Sequence, residues 1–248
     1  QVAILHSTTG FLRALEEGVV KTTIMAIEEI NENGGLLGEQ ISYQIFDGAS
    51  DEMEFQRQAR EITEKHQIKT IFGTSTSSSR MQVKEVVEKN EALLIYPLQN
   101  SGLEVSPNIA YIGPPPSLQT IPSIEWLIEK EMKSFYFVGS DYVYPVVTNE
   151  ILRDSIDSFF ADVVGEAYVP LGGEDFSDII KDIAEKKPDA IVMTLVGLES
   201  NKEFFRQFHE AGLSTDDITV LSLVLSEYDL CEIPTDHSIG VYSVFSYF

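Results

Sequence analysis

Short apolar runs alternate with longer segments of helical period along almost all of this 248-residue chain. That alternation constrains the fold more than any other feature. Val2-Ala3-Ile4-Leu5 carries no polar alternation, the pattern of a parallel strand buried on both faces. Val19, Val20, Thr23, Ile24, Ile27 and Ile30 then recur at helical spacing, and Asn33-Gly34-Gly35 ends that helix. Strands follow at residues 41–46, 70–72, 92–96 and 110–112, with helices at 51–66 and 80–90 between them. A strand-helix-strand order of this kind predicts a parallel sheet with helices on both faces.

Gly113-Pro114-Pro115-Pro116 interrupts the pattern, which then restarts. The second series predicts helices at 118–130, 146–160, 176–186 and 202–211. Its strands are expected at 135–138, 167–171, 190–195, 219–223 and 241–245. The proline run reads as a crossing between two α/β lobes, residues 1–114 and 115–239, with 240–248 as a strand returning toward the first lobe. No tandem repeat or low-complexity segment is visible. Two similar lobes would place a cleft between them, the ordinary site for a small ligand.

The composition narrows the function classes. The formal net charge of −23 repels phosphate backbones and anionic lipid, so nucleic acid and membrane surfaces are not expected partners. A neutral or cationic small ligand suits it better. Cys231 is the single cysteine, which excludes an internal disulfide and a cysteine metal site; it is expected to be a partly buried structural thiol. No run approaches the ~20 apolar residues of a membrane span. A chain that opens at Gln1 directly before a strand reads as mature or trimmed, so the lack of a leader does not argue for the cytoplasm.

Two loops carry the candidate chemistry. Gly139-Ser140-Asp141-Tyr142-Val143-Tyr144-Pro145 lies between a strand and a helix, where open α/β sheets bind ligands. Tyr142 and Tyr144 offer apolar faces and hydroxyls, and Asp141 either meets a ligand N–H or cation or caps the following helix. The plainer reading makes the tyrosines a cover for a helix start. Gly73-Thr74-Ser75-Thr76-Ser77-Ser78-Ser79-Arg80 presents hydroxyls and N–H groups at another helix start, fit for a carbonyl or carboxylate. One serine, Ser78 or Ser79, is expected to cap; Ser77 is expected to contact ligand, and Arg80 to lie at the helix start or surface. The loop lacks a P-loop ending, and Asn33-Gly34-Gly35-Leu36-Leu37-Gly38 follows a helix, so no nucleotide site is read there. His6, His66, His209 and His237 form no HxxxH or HExxH pattern, and no metal or cofactor is expected. His66 and His209 fall late in helices, where histidine complements the helix dipole.

Together these segments resemble the type I periplasmic solute-binding proteins, in the branch of urea-transporter binding components and amide sensors. The matching stretches are Val2-Ala3-Ile4-Leu5-His6-Ser7 with Gly10, Asn33 through Gly38, Phe72-Gly73-Thr74 through Ser79-Arg80, and Leu94-Ile95-Tyr96-Pro97. Asn108-Ile109-Ala110-Tyr111-Ile112-Gly113 and Gly139 through Pro145 complete them. The resemblance implies a bilobal periplasmic-binding-protein-like fold type I that closes on a small amide. It implies first-lobe contacts from Ser77 and Tyr96, with Ser75 and Leu98 lining the same wall. Its second-lobe contacts would be Tyr142 and Tyr144, with Val196 nearby.

Two departures bear on the ligand. The family usually has a bulky aromatic at Ser75, and a tyrosine-glutamate-glycine run where this chain reads Leu98-Gln99-Asn100-Ser101-Gly102. Both would enlarge the pocket and remove a partner for ligand N–H groups, so a larger amide or an amino-acid-like solute is as plausible as urea. Family members also continue for on the order of one hundred further residues within ordinary domain sizes, so the C-terminal part of the first lobe is expected to be absent.

The resulting expectation is a non-enzymatic, extracytoplasmic domain that closes on a small polar ligand for a membrane ABC transporter permease. The periplasm or outer cell envelope is favoured over a cytoplasmic amide sensor. The rivals are a ligand-sensing domain attached to a membrane signalling output, or completion of the first lobe in a homodimer. A small-amide hydrolase using His6 and Asp141 is the rival from another class, weakened by the lack of an activated nucleophile.

Overall fold

A computed structural model describes residues 1–245 of the chain. The chain divides into two compact units, Gln1–Pro114 and Pro115–Phe248. In the first unit, strand β1 (Val2–His6) leads to helix α1 (Arg13–Glu32), β2 (Tyr43–Asp47), α2 (Glu52–Arg60) and β3 (Thr70–Gly73). Helix α3 (Ser77–Lys89), β4 (Leu93–Tyr96) and β5 (Ile109–Tyr111) follow. All pairings are parallel and the order is β2-β1-β3-β4-β5. The helix expected over 51–66 is interrupted: Glu61–Lys65 runs on from α2 as a π-helical turn, closed by His66 N–H to the Glu61 carbonyl at 3.0 Å.

The second unit holds α4 (Thr120–Glu129), β6 (Ser134–Ser140), α5 (Val143–Ser158), β7 (Asp162–Val169) and α6 (Ser177–Lys186). It continues with β8 (Ala190–Thr194), α7 (Leu198–Glu210), β9 (Thr219–Ser222), α8 (Glu227–Glu232), α9 (Thr235–Ser238) and β10 (Tyr242–Ser243). Its parallel strands lie in the order β10-β9-β8-β6-β7. Counted from the first strand of each sheet, both read 2-1-3-4-5. The same topology therefore recurs without any tandem repeat in the sequence. In the second unit α4 precedes the first strand, and the segment expected as a returning strand at 240–248 pairs β10 with β9. Residues 246–248 lie outside the described residues.

Each sheet is buried on both faces, which is why its strands read as unbroken apolar runs. In the first unit Ala3, Leu5, Ile71 and Leu94 pack with Phe55, Ile62, Val83 and Val87, while Ile4 faces Val20 and Ile27 of α1. In the second, Tyr136, Val138, Ile191 and Met193 pack toward α6 and α7, and Phe135, Phe137, Ala190 and Val192 toward α4 and α5. Helix ends follow local chemistry. Asp51 caps α2 by accepting from Met53 and Glu54 N–H, and α1 ends where Gly35, at φ +75°, donates to the Ile30 carbonyl at 2.9 Å. Cys231, expected partly buried, is exposed on α8, which is too short to bury its outer side.

Gly73 ends β3 against the backbone of β1, and a Cβ there would lie 2.1 Å from the Leu5 carbonyl oxygen. Gly73→Ala is expected to destabilise the chain by about 1–3 kcal/mol, the cost of overpacking a closed core. Urea unfolding of the two proteins, read at equal slope, checks it.

Candidate functional site

An open parallel sheet of order 2-1-3-4-5 reverses direction between its first and third strands, and the carboxyl ends of those strands form a natural binding position. In the first unit that position is flanked by His6-Ser7 after β1 and by residues 74–77 after β3. In the second it is flanked by Ser140 at the end of β6 and by Leu195-Val196-Gly197 after β8. The sequence-predicted residues gather around these two places, one set in each unit.

The first-unit set is organised by Glu16, a residue the sequence reading missed. Its carboxylate is fully buried and accepts from His6 Nδ1 at 2.9 Å, from Ser7 N–H at 2.6 Å and from the Ser75 hydroxyl. His6 and Ser75 are therefore both held by Glu16. Burial of this carboxylate is tolerable because three donors replace its water. A signal existed: Glu16 lies four and eleven residues before Val20 and Ile27, on the apolar face of α1.

Helix α3 begins earlier than expected, at Ser77, so Ser77 to Ser79 are helical. Thr76 is the cap, with its Oγ1 accepting from Ser79 N–H at 3.1 Å, in place of Ser78 or Ser79. Arg80 is not a surface residue. It is 1% exposed, donates to Glu104 at 3.1 and 3.2 Å, and lies 4.6 Å over the Tyr96 ring. Arg80 shares the inner face of α3 with Val83 and Val87, which draws the cation inside and requires the ion pair. Tyr96 donates to, or shares its hydroxyl between, the carbonyls of Ser75 at 3.0 Å and Gln99 at 3.1 Å. Burial pushes its phenol up to about 12 against the opposing Arg80 charge, so it stays a neutral donor. Ser75 and Tyr96 are thus brought together, while Leu98 packs, partly buried, against the first-unit core.

Asp47, at the end of β2, holds the rim of this position. It accepts from Thr8 N–H at 2.9 Å, Thr9 N–H at 3.3 Å, Thr9 Oγ1 at 2.6 Å and Ala49 N–H at 2.8 Å. Partial burial opposes its charge, but these donors outweigh it and hold the carboxyl below its usual range.

In the second unit the Ser140 hydroxyl accepts from Val196 N–H at 3.0 Å, joining the end of β6 to the turn after β8. That bond brings Val196 to the tyrosine segment. Tyr142 occupies the N-cap position of α5 and Tyr144 its first turn, so both tyrosines belong to the helix start rather than to a free loop. Their rings lie 6.5 Å apart at 31°, with Tyr144 buried. Asp141 is exposed and makes no side-chain cap on α5, which removes the capping reading.

The clearest chemical signal is a set of buried polar atoms with no hydrogen-bond partner among the described residues. In the first unit these include His6 Nε2, Thr74 Oγ1 and Ser77 Oγ; in the second, Thr194 Oγ1, Ser200 Oγ and Asn201 Oδ1. Each lies beside a switch position. Thr74 belongs to the hydroxyl-rich loop read from the sequence, whereas Thr194, Ser200 and Asn201 carry no distinguishing sequence pattern, because only the strand order makes their places special.

Two doubly wound parallel sheets of this order make up the type I periplasmic-binding-protein fold. The chain belongs to the family described as periplasmic binding protein domain, which matches residues 1–248. It is 24% identical over 200 residues to the Leu/Ile/Val-binding protein BraC3 of Rhizobium johnstonii, covering 77% of this chain and 53% of that protein. It thus spans about half the length of that curated relative. A solute-binding protein of an ABC transporter from R. palustris, in complex with 4-hydroxybenzoate, superposes with a TM-score of 0.87 at 21% identity, over 99% of this chain and 67% of that one. LivJ of Streptococcus pneumoniae in complex with isoleucine gives 0.86 at 18% identity, over 98% and 69%.

Two outcomes test the site's framework. Arg80→Ala is expected to cost about 3–5 kcal/mol, because Glu104 would keep a partly buried charge without its partner; denaturant unfolding reads it. Asp47→Asn is expected to lower the melting temperature at neutral pH. The Asp47 contribution is fully present above the unfolded carboxyl value of about 3.9 and is lost as pH falls through the lower folded value. The gap between wild type and Asp47→Asn should therefore close below about pH 4, as melting curves across pH would show.

Proposed function

We propose that this chain is an extracytoplasmic solute-binding domain for a small polar ligand, neutral or zwitterionic, serving an ABC transporter's membrane component. The observation that carries the reading is the set of buried, unsatisfied polar atoms at the switch position of each unit. Buried hydroxyls and ring nitrogens at a switch position can exchange hydrogen bonds with a ligand's donors and acceptors. Ligand contacts are assigned to Ser77, Tyr96 and Thr74 in the first unit and to Tyr142, Tyr144, Val196 and Thr194 in the second. Ser75 acts through Glu16, Leu98 lends apolar surface, and Asp141 is available to a ligand N–H.

The first-turn N–H groups of α3 and the Ser77 hydroxyl suit a carboxylate or amide carbonyl. The BraC3 name and the isoleucine and 4-hydroxybenzoate complexes are all consistent with a carboxylate-bearing solute. Among neutral ligands, the tyrosine segment favours a small amide or urea derivative, which offers one carbonyl acceptor and N–H donors. Hydrolysis is not favoured: His6 is fully buried and held by Glu16, and Asp141 is exposed in the other unit.

Thermal-shift titration with leucine, isoleucine, benzoate, 4-hydroxybenzoate, acetamide and urea tests the reading. A true ligand at 100-fold its Kd should stabilise the chain by about 2.7 kcal/mol. Ser77→Ala and Thr194→Val should leave the free chain as stable or more so, since each removes an unsatisfied hydroxyl, yet weaken ligand by about tenfold. Tyr144→Ala should weaken it as well. Full response in all three variants would sink the assignment, as would no response to any of these compounds.

A further inference from the structure

A second constellation lies in the second unit, apart from the residues assigned above. His209 lies in the last turn of α7, and Asp236 and His237 sit together on α9, 27 residues further along for the nearer of the two. No sequence pattern joins them. The fold brings one donor atom from each of the three within 4.8 Å of the others. The two imidazole rings lie 4.6 Å apart, tilted by 31°. Nδ1 of His237 is buried and has no hydrogen-bond partner among the described residues. A cavity of about 370 Å³ opens on this group, lined also by Asp216, Ser214 and Ile239. That volume exceeds the roughly 30 Å³ of one water many times over, so an ion with its remaining waters fits.

We propose that His209, Asp236 and His237 bind a divalent transition-metal ion of the zinc class, with water completing the coordination. Two imidazole nitrogens and one carboxylate oxygen form a borderline donor set, suited to zinc, cobalt, nickel or copper; calcium and magnesium prefer oxygen alone. A shared cation would engage one ring nitrogen of each imidazole together with the carboxylate. The neighbouring cations of α7 are already occupied: Arg206 pairs with Glu203 and Glu210, and Lys202 with Glu199 and Glu232. The carboxylates of Asp216 and Asp236 therefore dominate the local charge, and the net charge of −23 adds a favourable field.

The site has a mechanical consequence. Thr215 Oγ1 donates to the Ile239 carbonyl at 2.6 Å, a side-chain bond that ties residues 212–217 to 236–241. A metal bridging α7 and α9 adds a second tie at the segment that leads into β10, the edge strand of the sheet. Bound metal should therefore stabilise the edge of the second unit without altering the switch position.

Isothermal titration of the metal-stripped, untagged chain with zinc chloride, in excess magnesium, tests this. Magnesium occupies sites made of carboxylates alone, and the expected result is one zinc per chain with a rise in melting temperature. His209→Ala and His237→Ala should each weaken zinc by at least the ~100-fold that loss of an outer-shell partner can cost. His66→Ala should not, although His66 lies 3.6 Å from Glu61 and forms another partly exposed histidine-carboxylate pair. His209 is exposed, so its variant keeps the fold, and circular dichroism verifies that. Cobalt substitution gives an independent reading, a visible absorption band of a four-coordinate site that disappears in His237→Ala. Zinc binding unchanged in both variants, or no stoichiometric zinc, overturns the proposal.

Discussion

Parallel pairing of five strands in the order 2-1-3-4-5 is the constraint on which the rest of each unit depends. Each parallel step requires a crossover, and right-handed crossovers of both windings cover the two faces with helices. Every strand then ends at the same edge of its sheet, and the following helix begins there with unpaired N–H groups. Between the first and third strands the connecting chains leave in opposite directions and open a gap in the backbone layer. The polar groups of His6, Thr74 and Ser77 in one unit, and of Thr194, Ser200 and Asn201 in the other, are placed by that geometry.

The same geometry accounts for buried charges that would otherwise be liabilities. Glu16 lies inside because α1 must lay one face on β1, and at that depth it finds His6, Ser7 and Ser75. Arg80 lies inside for the equivalent reason on α3, stacked on Tyr96 and paired with Glu104. Both charges fix the positions of groups at the carboxyl edge, so the core packing of the first unit and the shape of its candidate site are one problem. Ser140 plays a lighter version of that role in the second unit, where a single hydroxyl ties β6 to the turn after β8.

Much of this was legible in advance. The apolar strands, the helix stops at Asn33-Gly34-Gly35 and the break at Pro114 to Pro116 announce α/β architecture, and the family resemblance announces the fold. The tyrosine segment and the serine-rich segment fall at switch positions, as strand-to-helix junctions should. Boundaries shifted where chemistry is ambiguous: a run of hydroxyl residues allows several caps, and Thr76 won because its oxygen reaches Ser79 N–H. Arg80 and Glu16 sit at apolar-face spacing, but whether a charge there is buried depends on partners supplied from distant parts of the fold.

By itself, the sequence determined the kind of layering, since an unbroken apolar strand is stable only when helices cover both of its faces. It also determined which residue types stand at strand ends, because those ends follow directly from local pattern. Only the tertiary structure decided which strand ends are neighbours, and therefore which hydroxyls lack a partner and which histidines meet. Strand order and long-range contact depend on pairing between segments far apart in the chain. No local periodicity carries that information, so the Glu16 cluster and the His209, Asp236 and His237 group became visible only in the folded chain.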